Sequence, residues 1–393
     1  MRTWRRRGRA ALSAVVLAAA LGVATPVPAA AAPPVLPEPN AHGITLRRWT
    51  EVAFDARLLD AAVLTDAVFN AGMRKEVRVR VHLPANYDAA RATPYPVLYL
   101  LHGGGGDWED WTSSGNVRQI VDQSAFEGIV VMPEGGLTGF YSDWYGLTDG
   151  GFRPSWETFH VQQLVPWVDA NFNTTGTRDG RAIAGLSMGG YGALRYAGRY
   201  PATFSAVGSF SGGTRMTNPG LQSIVTGAAW QAGAAIGNQV LFNHGLFDGN
   251  YRVNRKLTNG QIDPNECNQR AYRNQVYFGP PATLGAVDPY AMASTYNQYD
   301  GRMAVYAGDG GDPGYSFVDS PDCVVPATDE RLIGDTNRQF HAELDRVGVQ
   351  HRWCHGDGQH DWEDWQAELA NFLSYVYGTG TVTCPNGWPS PAD

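Results

Sequence analysis

The stretch that decides the fold is Gly185-Leu186-Ser187-Met188-Gly189, which has the pattern Gly-x-Ser-x-Gly. A short apolar run at residues 182–184 precedes it, and a run typical of a helix follows at 191–196. Strand, tight turn and helix form the context in which a serine is presented on a strained turn, with the next N–H at a helix start. The flanking glycines are needed because larger side chains would collide with nearby backbone. The chain has 47 glycines, so the pattern needs independent support.

Periodicity along the rest of the chain predicts a fold of the α/β class. Apolar or alternating runs predict strands at residues 76–83 (an antiparallel edge strand), 95–101, 128–132, 204–210, 303–307 and 350–354. Helical spacing predicts helices at 158–172, interrupted by Pro166, and at 336–347 and 361–377. Strands that alternate with helices indicate a doubly wound, mostly parallel sheet with helices on both faces, here of the α/β-hydrolase type.

The N-terminus predicts export. Residues 1–31 have the pattern of a signal peptide, with five arginines before an apolar core at 10–23 and Ala29-Ala30-Ala31 as a cleavage site. The core is too short and too alanine-rich for a membrane span, so no integral membrane association is expected after cleavage. We expect a flexible lead-in at 32–45, a catalytic domain at 46–380 and a C-terminal tail at 381–393. Residues 214–273 are rich in glycine, asparagine and glutamine, and predict an insertion that is either a cap or an irregular surface segment.

Charge and cysteine content limit the classes of partner, crosslink and metal site that the chain can have. The net charge is −8, and loss of the arginine-rich signal leaves the chain more acidic still, which argues against nucleic-acid partners. In an exported protein, four cysteines predict two disulfides with three alternative pairings. These are Cys267, Cys323, Cys354 and Cys384. No C-x-x-C motif or cysteine–histidine cluster has the spacing of a zinc site, and neither a metal nor a cofactor is expected.

A serine hydroxyl is a weak nucleophile until a histidine removes its proton. In this fold the chain order is serine, acid, histidine, which disfavours every histidine before Ser187 as the base. His360 fits best, because it follows a late strand and a glycine-rich turn and precedes a helix; His355 is the second candidate. Two acids are considered. Asp309 follows a late strand directly and is favoured by position, while Glu330 lies farther along the chain.

The stretch His102-Gly103-Gly104-Gly105-Gly106 predicts an oxyanion hole. Its glycines let backbone N–H groups face a substrate oxygen, with Gly104 and Met188 as the two donors. A phosphate-binding loop is a weak rival, since no lysine of the required spacing follows. The residues expected to contact substrate are Gly103, Gly105, Trp144 and Trp362.

Five segments resemble one family, the secreted esterases that include S-formylglutathione hydrolases, feruloyl-type esterases and mycolyltransferases. The similarity to mycolyltransferases is strongest, and the segments are 130–136 (VVMPEGG), 139–145 (GFYSDWY), 156–159 (WETF), 185–188 (GLSM) and 360–365 (HDWEDW). The resemblance spans roughly residues 78–377 without 214–273. It implies Ser187 as nucleophile and His360 as base. The family acid is a glutamate seven residues before an asparagine, a spacing that Glu330 and Asn337 match, so the resemblance favours Glu330 over Asp309.

Departures from the mycolyltransferase pattern favour hydrolysis. Those enzymes carry Asp-Gly-Leu-Arg where this chain has His102-Gly103-Gly104-Gly105, and a cysteine pair that this chain lacks. We therefore expect a secreted serine carboxylesterase with a Ser-His-Glu triad and an acyl-enzyme, acting on a small-molecule, lipid or sugar ester. The alternatives are an acyltransferase that passes the acyl group to a sugar or lipid hydroxyl, and a non-catalytic wall-associated binding protein whose tryptophans stack on sugars. A peptidase is weaker, since no charged specificity pocket is evident.

Overall fold

A twisted sheet organises the part of the chain that the computed structural model describes, residues 35–68, 76–136, 138–145, 154–222, 281–310 and 330–389. Within those ranges the sheet has nine strands in the order β1-β2-β3-β5-β4-β6-β7-β8-β9. The strands are β1 (Ile44–Val52), β2 (Asp55–Thr65), β3 (Val77–His82), β4 (Val97–Leu101), β5 (Ile129–Pro133), β6 (Arg181–Leu186), β7 (Ala206–Phe210), β8 (Met303–Gly308) and β9 (Arg352–Gly356). The signal sequence predicted at 1–31 lies outside the described residues.

The parallel half of the sheet carries the turn with Ser187 at its centre. Strands β5, β4, β6, β7, β8 and β9 run parallel, as predicted. In their register Gly185 pairs with Leu101 on one side and with Ser209 on the other. The carboxyl ends of parallel strands meet at one edge of a sheet, which is where ligands bind in open α/β sheets. The residue after β6, Ser187, therefore lies in the middle of that edge.

The antiparallel half differs from the prediction. β3 matches the strand expected at 76–83, but it is not an edge strand, because it pairs with β2 on one side and with β5 on the other. β1 and β2 form an antiparallel hairpin outside it, and β1 begins at Ile44, within the lead-in expected at 32–45. Sequence reasoning missed both strands. β1 has few buried positions and therefore a weak apolar pattern, whereas β2 has six of its eleven positions buried and carried a usable apolar pattern.

The helices cover both faces of the sheet, as a doubly wound fold requires. They are α1 (Asp110–Ser113), α2 (Val117–Asp122), a π-helix (Thr158–Leu164) that continues into α3 (Val165–Asn171), α4 (Met188–Arg199), α5 (Glu330–Arg346) and α6 (Trp362–Tyr377). Pro166 lies in the first turn of α3, where its missing N–H is not needed. Two apolar cores result. Tyr99 and Ile183 face the core with α4 and α5, whereas Leu98 and Ala182 face the core with α2 and α6, in the strict alternation of a strand.

The C-terminal segment is fastened to the last strand of the described sheet. Cys354 in β9 forms a disulfide with Cys384, with their Cα atoms 5.6 Å apart. Trp388 packs against Gly356 at the end of β9 and is 6% exposed. Cys267, Cys323 and most of the insertion expected at 214–273 lie outside the described residues, so the second predicted disulfide stays a prediction.

Candidate active site

Ser187 occupies the strained turn that its sequence pattern predicts. It has φ +51° and ψ −118° and stands between β6 and α4. Its N–H donates to the Phe210 carbonyl (2.8 Å) and its carbonyl accepts from the Tyr191 N–H (3.1 Å), so the turn is fixed on both sides. A Cβ at Gly185 would lie 2.5 Å from the Gly189 backbone, and one at Gly189 would collide with the Leu101 carbonyl. The predicted reason for both glycines is thereby confirmed.

His360 lies beside this serine although 173 residues separate the two in sequence. It belongs to the loop between β9 and α6, and its Nε2 is 2.9 Å from Ser187 Oγ. The Trp365 indole meets the imidazole edge-on, with ring centroids 4.9 Å apart. The next residue, Asp361, caps α6 by accepting hydrogen bonds from the Glu363 and Asp364 N–H groups. The cap and the indole together restrict where the imidazole can lie.

Glu330 completes a series of hydrogen bonds. It is the first residue of α5, and its Oε2 is 2.6 Å from His360 Nδ1. Its other oxygen, Oε1, accepts from Ser211 Oγ and from the Gly308 N–H, both at 2.7 Å. The carboxylate side chain is only 2% exposed. Because the carboxylate accepts the Nδ1 proton, Nε2 is left with the lone pair that faces the Ser187 hydroxyl.

The two competing candidates are placed elsewhere. Asp309 is exposed, and its N–H donates to the Gly356 carbonyl, which extends the pairing of β8 with β9. The structure brings Glu330, and not Asp309, to His360. His355 stacks on Trp353 with ring centroids 5.4 Å apart, and its Nε2 is 2.9 Å from an Arg338 nitrogen. Burial lowers the pKa of His355, and the neighbouring Arg338 charge lowers it further.

The predicted oxyanion-hole segments lie next to the serine. Gly103 follows β4, and a Cβ placed on it would lie 3.5 Å from Ser187 Cβ and 2.6 Å from Leu186 Cδ1. Gly104 and Gly105 are exposed, the latter with φ +78° and open space around it. Met188 is the first residue of α4, where the helix leaves its N–H without an intrahelical acceptor. The donor roles of Gly104 and Met188, and substrate contact at Gly103 and Gly105, stay predictions.

His102 holds this glycine loop in place, a role that sequence reasoning missed. Its Nε2 accepts from the Gly135 N–H (2.8 Å), so its Nδ1 carries the proton and donates to the Gly103 carbonyl (2.7 Å). Burial lowers the pKa of His102, which keeps the imidazole neutral. Tyr141 Oη donates to the His102 carbonyl at 2.9 Å. One imidazole thus links the loops that follow β4 and β5.

The two tryptophans expected at the substrate site differ in exposure. Trp144 is 2% exposed, and its indole N–H donates to the Gly139 carbonyl (3.1 Å), a contact that stabilises its own loop. Trp362 is half-buried and lies edge-on to Trp365 and Trp111, at 5.3 Å from each ring. Because Trp365 contacts His360, Trp362 is near the series of hydrogen bonds formed by Ser187, His360 and Glu330, called the relay below. Contact of either residue with substrate stays a prediction.

Ser211 is, after His102, the second residue of the candidate site that the sequence analysis did not identify. It follows β7 directly and is 1% exposed, and its hydroxyl donates to Glu330. The carboxyl end of β7 lies beside that of β6, so a polar residue immediately after β7 could have been predicted to lie near Ser187.

Among the described residues, a group of two histidines and one aspartate that could hold a metal ion lies apart from these catalytic candidates.

The sheet order, the strand–turn–helix serine and the adjacent histidine–carboxylate pair define a protein of the α/β-hydrolase class. The family described as "Putative esterase" matches residues 70–279, more than half of the chain. The chain therefore belongs to this esterase family, and the predicted family and fold class are confirmed.

Two mycobacterial relatives are similar to parts of the chain. An esterase of Mycobacterium tuberculosis is 47% identical over 135 residues, which are 34% of this chain and 28% of that protein. The chain thus spans little more than a quarter of that relative. The diacylglycerol acyltransferase/mycolyltransferase Ag85B of Mycobacterium leprae is 27% identical over 283 residues, 70% of this chain and 73% of that protein.

Solved structures agree on the fold. MPT51 of Mycobacterium tuberculosis superposes with a TM-score of 0.55 at 20% identity, covering 84% of this chain and 98% of that one. S-formylglutathione hydrolase of Staphylococcus aureus has a TM-score of 0.52 at 15% identity, covering 84% and 100%. Within the described residues, no helix combines the length and apolar character needed to cross a membrane.

Proposed function

We propose that this protein is a secreted serine carboxylesterase in which Ser187, His360 and Glu330 form the catalytic triad. The observation that carries the proposal is the series of hydrogen bonds from Ser187 Oγ to His360 Nε2 (2.9 Å) and from His360 Nδ1 to Glu330 Oε2 (2.6 Å). Family membership and the relation to an esterase and an acyltransferase support the same chemistry.

The reaction has two halves. Ser187 Oγ attacks the ester carbonyl while its proton passes to His360 Nε2. The imidazolium that forms is stabilised by the buried Glu330 carboxylate, which stays ionised. The proton then goes to the leaving alkoxide, and an acyl-serine remains. Water enters, loses a proton to His360 Nε2 and attacks the acyl carbonyl. The bond between Ser187 Oγ and the acyl carbon then breaks, His360 returns the proton to Oγ, and the carboxylic acid is released.

Charge on the carbonyl oxygen develops in both halves. We assign its stabilisation to the backbone N–H groups of Gly104 and Met188. The Met188 group gains from its position at the N-terminus of α4, where the helix dipole is positive. His102 supports the other donor by fixing the Gly103 carbonyl, which sets the direction of the peptide that follows.

A second candidate is acyl transfer to a sugar or lipid hydroxyl. The observation in its favour is the relation to the mycolyltransferase of Mycobacterium leprae, which extends over 70% of this chain. The two activities share the acyl-enzyme and differ only in the acceptor. Product analysis with and without trehalose or another polyol separates them. We expect free acid as the main product, whereas transfer products that dominate in water would establish the acyltransferase.

Secretion is also a proposal. The arginine-rich, alanine-rich N-terminus supports it, and so does the Cys354–Cys384 disulfide, since disulfides persist in oxidising compartments. Expression of the full chain with detection of a shortened protein in the culture medium tests this part. Retention of the whole chain inside the cell would contradict it.

Substitution of the serine tests the triad. We expect Ser187→Ala to lower kcat for p-nitrophenyl ester hydrolysis by roughly 10⁴-fold or more and to abolish labelling by a fluorophosphonate probe. Ser374→Ala is the matched control, because its hydroxyl donates to a carbonyl within α6, away from the relay. Normal hydrolysis by the Ser187→Ala variant would end the proposal. A wild-type protein that the probe does not label would favour the non-catalytic binding protein.

A further inference from the structure

A compact group of two histidines and one aspartate lies away from the proposed triad. His341 and Asp345 are one turn apart on α5, and His351 precedes β9. One candidate ligand atom from each residue lies within 4.8 Å of the others. None of the three contacts Ser187 or His360, and the group begins eleven residues after Glu330 on the same helix. The proposed esterase mechanism does not involve these three residues.

The hydrogen bonds around the two imidazoles fix their protons. His351 Nδ1 lies 2.9 Å from the Val349 carbonyl and donates to it, which leaves a lone pair on His351 Nε2. His341 Nδ1 lies 2.9 Å from that nitrogen, so a single proton separates the two rings. An imidazole whose Nδ1–H is held by a backbone carbonyl while its Nε2 faces a second nitrogen has the arrangement of a metal-ligating histidine.

The surroundings favour a cation at this point. The Asp345 carboxylate lies 3.5 Å from His341 Nε2 and supplies a negative charge. Trp353 stacks on the His341 ring at 5.1 Å and 15°, which restricts its orientation. Side-chain exposures of 23% for His341 and 60% for Asp345 leave a path from solvent.

We propose that this group binds one divalent transition-metal cation, Zn²⁺ or a close relative, through nitrogens of His341 and His351 with Asp345 as the anionic partner. Imidazole and carboxylate are the donor types that suit such ions. The cation replaces the proton between the two nitrogens, and that proton passes through solvent to His341 Nε2, next to the Asp345 carboxylate. With Zn–N bonds of about 2.0–2.1 Å, the nitrogens need to separate by only about half an ångström from their present 2.9 Å. Water completes the coordination.

Bound metal would fasten α5 to the start of β9. Both elements lead to the proposed triad, since α5 begins with Glu330 and β9 leads into the loop that carries His360. The expected effect is therefore on the stability of the fold around the relay. The proposal does not need the metal to take part in ester chemistry.

Calorimetric titration tests the site on the full chain after removal of metal with EDTA and buffer exchange. Zn²⁺ should bind the wild-type protein with one equivalent and raise its Tm. Asp345→Asn should weaken binding by about 10- to 100-fold, the usual cost of losing a carboxylate partner of a metal-bound histidine. Asp345 is exposed, so this variant is expected to fold. His351→Ala should bind no Zn²⁺ at this site and show no Tm shift.

His42→Asn is the matched control, because His42 is exposed and its φ of +55° is one that asparagine tolerates. It should bind Zn²⁺ like the wild type, and so should Ser187→Ala, which separates this test from that of the proposed function. Absence of one-equivalent binding by the wild type would overturn the proposal. Equal Zn²⁺ affinity of the wild type and the Asp345→Asn and His351→Ala variants would overturn it as well.

Discussion

Replacement of the buried carboxylate by an amide, Glu330→Gln, should abolish most of the activity while leaving the fold intact. Oε1 accepts from both Ser211 Oγ and the Gly308 N–H, so in the variant this position must be held by the amide oxygen. The NH₂ group then takes the Oε2 position, 2.6 Å from His360 Nδ1. Because an amide nitrogen only donates, Nδ1 must give up its proton, and the proton moves to Nε2.

The consequence is an imidazole in the wrong tautomer. Nε2 is the nitrogen that faces Ser187 Oγ at 2.9 Å, and once protonated it cannot accept the hydroxyl proton. In a comparable triad this change lowers kcat by about 10⁴-fold. At about 1.4 kcal/mol for each factor of ten, the barrier rises by about 5.5 kcal/mol. The loss arises from proton placement, so Tm should change far less than activity does.

Steady-state hydrolysis of a p-nitrophenyl ester measures kcat, and a thermal melt checks folding. Asp309→Asn is the matched control, since it makes the same chemical change at the acid that position alone favours, and it should stay close to wild-type activity. A Glu330→Gln variant within about tenfold of the wild type would refute the tautomer argument. A collapse of activity in Asp309→Asn would reassign the acid.

Three further perturbations probe the structure around the relay. Ser211→Ala removes one of two donors to Glu330 Oε1 and should lower kcat by about 10- to 150-fold, since a hydrogen bond to a charged group contributes about 1.5–3 kcal/mol. The kinetics of p-nitrophenyl ester hydrolysis check this, and an unchanged kcat would contradict it. Burial lowers the pKa of His160 to about 3, so the folded state resists a proton that the unfolded chain accepts below about pH 6.5. The unfolding free energy should therefore fall by about 1.4 kcal/mol per pH unit for this residue as pH drops from 6.5 towards 3; urea titrations should show a shallower slope in His160→Gln, and equal slopes would refute the assignment. Cys384→Ser removes a disulfide that spans 30 residues, and by the loop-entropy relation it should lower the unfolding free energy by about 3–4 kcal/mol. Chemical denaturation measures this change, and an unaltered midpoint would contradict it.

The sequence predicted the parts of the fold that carry strong periodicity. The apolar runs of β4, β5, β7 and β8 are buried throughout, and such strands are recognisable because both of their faces meet a core. The strand β1 was missed because most of its side chains are exposed or half-buried. The predicted edge position of β3 was wrong because its neighbour β2 was not recognised, although most of the positions in the second half of β2 are buried.

In the candidate site, too, the sequence predicted the residues that have a local pattern and missed those that depend on long-range contacts. Ser187 and His360 are marked by local patterns, a glycine-flanked turn and a strand–loop–helix junction. The contact between Glu330 and His360 depends on how a helix start reaches across the strand ends, which local pattern does not encode; position alone favoured Asp309, and the family spacing pointed to Glu330. Ser211 and the orienting contacts of His102 depend on pairs far apart in sequence, so no local window could reveal them.

The tail that follows α6 has a consequence for behaviour in solution. β9 ends the described sheet, and a terminal strand can recruit a strand from another molecule and start aggregation. Here Cys384 bonds the tail covalently to β9, and Trp388 lies over its end. Both cysteines and Trp388 lie in the apolar core that α6 covers, so the crosslink keeps the tail packed on that face of β9 even when the surrounding backbone fluctuates. Reducing conditions would loosen it, so colloidal stability during storage or heterologous production should depend on keeping the protein oxidised.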